Sequence, residues 1–469
     1  MNENLSSASP VTVRFAPSPT GHIHVGNART ALFNWLFSRV RDGRFILRFD
    51  DTDRERSRPE FADSILEDLR WLCIEPDRIE RQSDRLAEYD AAVAGLKDKG
   101  LLYPCYETPD ELDRIRSRRR ARGLPPVYDR RALKLADAER TELEAAGRRP
   151  HWRFLLPNFK ADPADMERTD IGWADIYRGD QTIDLASMSD PVLVREDGTY
   201  LYTLTSVVDD IDMAVSHIIR GDDHVSNTAV QLSLFQALGA GPPAFGHHNL
   251  LQSATGEGLS KRTGALSIGA LREEGLEPLA VATFATLIGT SEPVQPLTSL
   301  EDLEKRFEAA QVNKAAARFD PDELRALNAR LVAHLDYDRV AERLGALGIA
   351  GGEGFWLAVR DNIGTLAEAA DWWEIATGTI EPAAEPEDAG FLAEAAECLP
   401  AEPWDASTWS EWTGALKQRT GRKGRQLFMP LRLALTGRDR GPELAALLPY
   451  LGRPNTMARL SGPFVRRPS

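Results

Sequence analysis

The segment that most restricts the fold of this chain is Phe15-Ala-Pro-Ser-Pro-Thr-Gly-His-Ile-His-Val-Gly-Asn-Ala-Arg-Thr30, a stiff loop that hands a strand over to a helix. Val11, Val13 and Phe15 before it alternate as in a short strand. Ala28, Ala31, Leu32, Trp35 and Leu36 then fall at helical spacing, and Gly43 reads as the stop. Phe45–Phe49, an apolar run around Arg48, suits a buried parallel strand. Ser57-Arg58-Pro59-Glu60 has the form of a capping box, and the helix it opens carries Phe61, Ile65, Leu69 and Leu72 on one face. Strand, helix, strand, helix between Val11 and Leu72 predicts an α/β fold with a doubly wound parallel sheet.

In such a sheet ligands bind beyond the carboxyl ends of the strands, which is where this loop falls. Its prolines stiffen it, and Gly21 and Gly26 admit a ligand close to the backbone. The helix N-terminus offers free N–H groups and a positive dipole to phosphate, and His22 and His24 add donors. On its own, a histidine pair in a proline-rich turn would read as no more than a turn.

Farther along, Leu101–Tyr200 is rich in Arg and Pro, with a charged helical stretch and short strand-like runs at His151–Leu156 and Pro191–Arg195. It reads as an insertion between two halves of the sheet. The βα pattern resumes at Leu201–Asp210, and Ile218–Ile219 lead into Arg-Gly-Asp-Asp-His and another helix. Beyond Ala270 helical periodicity dominates, with Pro- and Gly-rich joints at Ile349–Gly354 and Thr379–Asp388. A chain of 469 residues has room for three or four domains.

Composition matters mainly for what it excludes. No stretch approaches the ~18 apolar residues of a spanning helix, and Met1–Pro10 reads as a loose tail rather than a secretory signal. Three scattered cysteines (Cys73, Cys105, Cys398) fit the reducing cytoplasm. The net charge of -15 disfavours nucleic acid only on average, because Arg114–Arg122 and Arg419–Arg425 are local basic clusters. Each cluster reads equally well as a solvated helix face.

Gly258-Leu-Ser-Lys-Arg-Thr-Gly264 is a glycine-flanked basic loop suited to meeting charge on a leaving pyrophosphate. Together with the first segment it resembles the paired signatures of class I aminoacyl-tRNA synthetases, specifically the glutamyl-tRNA synthetase family. His24-Val25-Gly26-Asn27 stands where that class carries its His-Ile-Gly-His motif. Thr420–Gly437 resembles part of the family's helical anticodon-binding region, so the likeness runs from Val11 to near the C-terminus.

The resemblance implies an ATP-dependent glutamate–tRNA ligase that activates glutamate only once tRNA is bound. It would work as a cytoplasmic monomer on ATP with Mg2+, L-glutamate and tRNA, with no membrane. The acceptor would be tRNA(Glu), and tRNA(Gln) stays open. His24, Lys261 and Arg262 would be catalytic, and His22, His24, Gly26, Asn27, Ser260 and Lys261 would hold ATP. Arg14 and Arg220 would grip the side-chain carboxylate of glutamate with Tyr202 alongside. Ala16, Ser18 and Asp50 would face its ammonium, and Ser206 its α-carboxylate. The family commonly has Glu at 50, Asn at 206 and Lys at 258, so this chain departs at three positions.

The implied layout is a tail over 1–10, a Rossmann-type catalytic domain over 11–100 and 201–255, and an α+β acceptor-end-binding insertion over 101–200. A stem-contact region would follow over 256–335, then an all-helical anticodon-binding region over 336–469. Asp50-Asp51-Thr52-Asp53 and Asp209-Asp210-Ile211-Asp212 read either as magnesium sites or as helix-capping carboxylates. Many family members carry a zinc knuckle in the insertion. Here Cys105 is followed by Tyr106-Glu107, and Pro126–Asp129 adds no Cys or His, so no zinc site is expected. Relatives that glutamylate a tRNA base lack the C-terminal region, and glutaminyl-tRNA synthetases end in β-barrels. A non-catalytic tRNA-binding paralogue remains the rival of a different class.

Overall fold

The computed structural model describes residues 10–253, 256, 266–405 and 407–465. The chain divides into two compact units, Met1–Leu271 with Ala282–Val294 and Leu300–Asp320, and Arg272–Val281 with Gln295–Ser299 and Pro321–Ser469.

The first unit opens with β1 (Thr12–Phe15), α1 (Val25–Arg39), β2 (Arg44–Phe49), α2 (Pro59–Trp71), β3 (Arg78–Arg81) and α3 (Leu86–Asp98). Then come β4 (Leu102–Cys105), α4 (Pro109–Ala121), α5 (Asp137–Ala145), β5 (His151–Phe154), β6 (Asp170–Asp175), β7 (Gly179–Asp184) and β8 (Val192–Val194). The sheet elements resume with α6 (Tyr202–Asp212), β9 (His217–Gly221), α7 (Val225–Ala237), β10 (Ala244–His248), β11 (Leu251–Ser253) and β12 (Ala317–Phe319).

β1, β2 and β3 pair in parallel in that order, and β9, β10 and β6 also pair in parallel, with β7 antiparallel at the edge. Ser216, just before β9, donates its N–H to Thr12 O at 2.9 Å, which sets β9 beside β1. Strand order therefore runs outward from β1 and β9 in opposite directions. That is the switch point where an open α/β sheet leaves a crevice. All four residues of β1 are buried, so the expected alternation gives way to a strand covered on both faces.

Two local expectations fail. The first residue flanking α2 is Arg58, with no side-chain cap, and Pro59 occupies the first turn. The Ser57 hydroxyl is buried without a partner, so Ser57-x-x-Glu60 is not a capping box here. The hairpin β6–β7 falls within 101–200 yet extends the sheet of β9 and β10. β4, β5 and β8 form a separate antiparallel sheet.

The second unit is helical, with helices at Pro321–Ala333, Tyr337–Ala346, Gly352–Val359, Ala367–Thr377, Ala389–Glu397, Thr408–Thr420, Arg425–Thr436 and Leu444–Ser461. Its described residues form an apolar cluster around Trp356 and another around Trp412. Each indole is fully buried and donates its N–H to a backbone carbonyl, Leu335 O and Ala395 O, both at 2.9 Å. That satisfies the one polar atom a buried Trp carries.

Candidate active site

A crevice of about 720 Å³ opens beyond the ends of β1 and β9, lined by the 14–18 loop, the start of α1, Asp50, Tyr202 and the residues after Arg220. One wall is built by His24. Its backbone is extended, and its Nδ1 accepts the Gly26 N–H at 3.0 Å while Asn27 Oδ1 accepts the His24 N–H at 3.2 Å. Burial holds the imidazole below its ordinary pKa, so it is neutral at pH 7. With Nδ1 accepting, the proton of a neutral ring sits on Nε2, which is left to donate. Gly26 is required by this packing, since a Cβ there would lie 2.9 Å from His24 Cε1. His22 instead meets Ser64 Oγ at 2.8 Å and packs edge-on against Phe61.

The same crevice carries two guanidiniums. Arg14 Nε and Nη2 donate to Asp210 at 3.1 and 3.4 Å. Arg220 donates to His247 Nε2 at 3.2 Å, Thr228 Oγ1 at 2.8 Å and Tyr202 OH at 3.3 Å. Both arginines are buried yet line the crevice. His224 also lines it, beside Tyr202 at 5.9 Å between ring centroids. Burial, then the neighbouring Arg220 charge, holds its imidazole below the ordinary value.

Beneath them lies Arg48, fully buried, which donates to Asp50 at 2.7 Å and Asp210 at 2.9 Å and lies 3.5 Å from Asp209. Burial pushes the Asp50 carboxyl up to about 6 even against the pull of Arg48 and Arg14. Arg48 divides its charge among three carboxylates, so burial wins at Asp50.

The crevice thus brings together Arg14, Ala16, Ser18, His22, His24, Gly26, Asn27, Asp50, Tyr202 and Arg220. Ser206 is not on its surface: it is fully buried, and its hydroxyl accepts from Arg48 Nη2 at 3.3 Å. Gly258, Ser260, Lys261 and Arg262 lie outside the described residues. The described residues flanking them are anchored at the crevice. Leu250 and Leu251 line it, Leu266 O accepts from Val25 N at 3.2 Å, and Ile268 N donates to Ile23 O at 3.0 Å.

In both acidic runs the buried carboxylates are taken up by protein donors. Asp51 accepts from Ser83, Asp209 from Gln82, Arg85 and Tyr89, and Asp210 from both arginines. The sequence reading missed Arg48, His224 and His247; Arg48 meets Asp210 and His247 meets Asp175 only across the fold. It also missed His151, which stands directly opposite Cys105 in the β4–β5 register. Among the described residues, Cys105, Glu107 and His151 form the one group close enough to share a metal ion. Tyr128 OH donates to Glu107 at 2.6 Å, and burial pushes the Cys105 thiol up to about 12.

Comparison with known proteins bears on the whole chain. The family model described as tRNA synthetases class I (E and Q), catalytic domain, matches residues 10–326, and the Anticodon binding domain model matches residues 357–462. Glutamate--tRNA ligase 2 of Mesorhizobium japonicum is 61% identical over 453 residues, 96% of this chain and 99% of that protein. Glutamate--tRNA ligase 1 of Brucella canis is 59% identical over the same shares. The crystal structure of a glutamate tRNA ligase from Elizabethkingia meningosepticum in complex with its amino acid superposes with a TM-score of 0.82 at 27% identity, over 96% of this chain and 98% of the other.

Proposed function

Because the chain belongs to the class I tRNA synthetases for glutamate and glutamine, we infer that it joins L-glutamate to tRNA using ATP. The observation that carries the assignment of residues is the crevice itself, which gathers His24, a helix N-terminus and two buried guanidiniums. The first two suit phosphate and the guanidiniums suit a carboxylate.

In the first step a glutamate α-carboxylate oxygen attacks the α-phosphorus of ATP, and pyrophosphate leaves. His24 Nε2–H, the Asn27 amide and the N–H groups opening α1 donate to phosphate oxygens as charge builds on them. Lys261, Arg262 and Ser260 take the pyrophosphate side. Magnesium enters as part of the ATP substrate, held mainly by phosphate and water. Arg14 and Arg220, with Tyr202, grip the side-chain carboxylate, and Ala16, Ser18 and Asp50 receive the ammonium. Ser206 acts at one remove, by bonding the Arg48 that holds Asp50 in place. In the second step a terminal ribose hydroxyl of tRNA attacks the activated carbonyl and AMP leaves. No protein nucleophile is needed, since positioning and charge do the work.

The arginine-rich face of α4, where Ile115 alone is buried, supports a phosphate-contacting role for the 101–200 insertion. Residues 256–335 would follow the tRNA stem and the helical 336–469 region the anticodon. A cytoplasmic site of action is supported by three unpaired cysteines and by the lack, among described residues, of a helix long and apolar enough to cross a membrane.

Charging purified tRNA(Glu) and tRNA(Gln) with labelled glutamate tests this reading. Label on tRNA(Glu) is expected, and label on tRNA(Gln) as well would extend the acceptor range. Label on neither would overturn the proposal.

A further inference from the structure

Arg220 is held by two residues that line the crevice, Tyr202 and His224, and by two that do not, Thr228 and His247. Of its five N–H donors, Nε meets His247 Nε2 at 3.2 Å, Nη2 meets Thr228 Oγ1 at 2.8 Å and His224 O at 3.4 Å, and Nη1 meets Tyr202 OH at 3.3 Å. His247 Nε2, which also lies 3.1 Å from Thr228 Oγ1, can serve the Arg220 Nε–H only by presenting a bare lone pair. The ring alone does not guarantee this, because a neutral imidazole can carry its proton on either nitrogen.

What decides the tautomer is Asp175, at the end of β6. Its Oδ1 accepts the backbone N–H groups of Tyr177, Arg178 and His247 at 3.1, 3.1 and 3.0 Å. Its Oδ2 bonds His247 Nδ1 and accepts Trp173 Nε1–H at 3.3 Å. A carboxylate can only accept, so His247 carries its proton on Nδ1 and turns Nε2 to Arg220 as an acceptor. Burial lowers the affinity of His247 for a second proton; at Asp175 burial is opposed by hydrogen bonds from His247 and Tyr177 and by the His247 charge, which together hold its carboxyl below the ordinary value.

We propose that Asp175 and His247 are positioning residues for amino-acid recognition, a relay that fixes the His247 tautomer and so aims Arg220 at the substrate carboxylate. The proposal rests on the reading of Arg220 as a carboxylate clamp. It also gives the β6–β7 hairpin a task in the pocket, through the parallel pairing of Asp175 with Phe245 beside His247.

The relay makes an asymmetric prediction. In Asp175→Asn the three backbone donors at Oδ1 hold the amide oxygen there, so the NH2 group faces His247 Nδ1. His247 must then accept at Nδ1 and carry its proton on Nε2, where it opposes the Arg220 Nε–H. His247→Leu removes the acceptor outright. His247→Gln can place an amide oxygen near the Nε2 position.

The experiment is ATP–pyrophosphate exchange on the full chain with tRNA present, reading KM for glutamate and for ATP separately, alongside 15N NMR of the histidine rings. Asp175→Asn and His247→Leu are expected to raise the glutamate KM at least tenfold and to leave the ATP KM within about twofold, with His247→Gln recovering most of the loss. NMR should find His247 protonated on Nδ1 in the wild type and on Nε2 in Asp175→Asn. Unchanged glutamate KM, equal rises for both substrates, a Gln variant no better than Leu, or an unaltered tautomer in Asp175→Asn would overturn the relay. Should Asp175→Asn fail to fold, the Leu–Gln contrast still decides. Absence of glutamate-dependent exchange in the wild type would count against the ligase reading instead, and the NMR result would then judge the relay alone.

Discussion

Arg14 is tied to Asp210 by two hydrogen bonds, Nε to Oδ1 at 3.1 Å and Nη2 to Oδ2 at 3.4 Å, and Asp210 is tied in turn to Arg48. Each arginine is thus held by a carboxylate that it shares, while the remaining N–H groups of Arg14 stay available on a side chain that lines the crevice. A charge anchored in this way loses little freedom on meeting a substrate carboxylate.

Arg14→Ala should therefore weaken glutamate far more than ATP. Losing a charge-assisted contact of about 1.5–3 kcal/mol predicts a rise in glutamate KM of roughly 10–100-fold. Steady-state exchange kinetics with each substrate varied in turn will show it. Equal losses for both substrates would mean that the carboxylate clamp is misassigned.

Asp50 gives a pH signature. Burial, opposed by Arg48, lifts its carboxyl to about 6, so it is neutral below that value and charged above it. An ammonium needs the charged form, and glutamate KM should rise as pH falls through about 6. Asp50→Asn should raise KM at pH 7.5 and abolish the dependence. A KM limb of the same shape in the Asn variant would assign the titration elsewhere.

Gly26→Ala would put a Cβ 2.9 Å from His24 Cε1 and 3.0 Å from Nδ1, pushing the ring off the cap it makes for α1. The cap is worth about 1 kcal/mol, so melting should fall modestly. Exchange kcat should fall much further, ~10–100-fold, because a phosphate donor moves. A variant that melts lower but keeps its kcat would remove His24 from the phosphate site.

Cys105, Glu107 and His151 offer three ligand atoms, one short of a closed structural zinc site, and the buried thiol resists ionisation. Chelation with EDTA should leave the melting temperature within about 2 °C, since structural zinc contributes folding energy directly. A larger drop, with zinc released in proportion to protein, would contradict this.

The sequence made the start of the sheet legible because its information is local there: an apolar strand, a stiff loop and a helix with a regular apolar face. The second half was less so. The β6–β7 hairpin, Asp170–Asp184, is rich in aspartate and carries no apolar run, yet it pairs in the sheet because β10 offers it an edge. Ser57 has the spacing of a cap, but Arg58 and Pro59 start the helix one residue later. Asp210 has no local signature at all, since both its arginines come from distant strands, and of the carboxylates around Arg48 only Asp50 is near in sequence. Asp209 and Asp210 looked like a metal site because sequence shows carboxylates without the arginines that neutralise them.

The central claim, glutamate activation in this crevice, is tested most directly by ATP–pyrophosphate exchange with and without tRNA. The account predicts exchange that requires glutamate and appears only when tRNA is present. No exchange under any condition would contradict it and favour a tRNA-binding protein without catalysis.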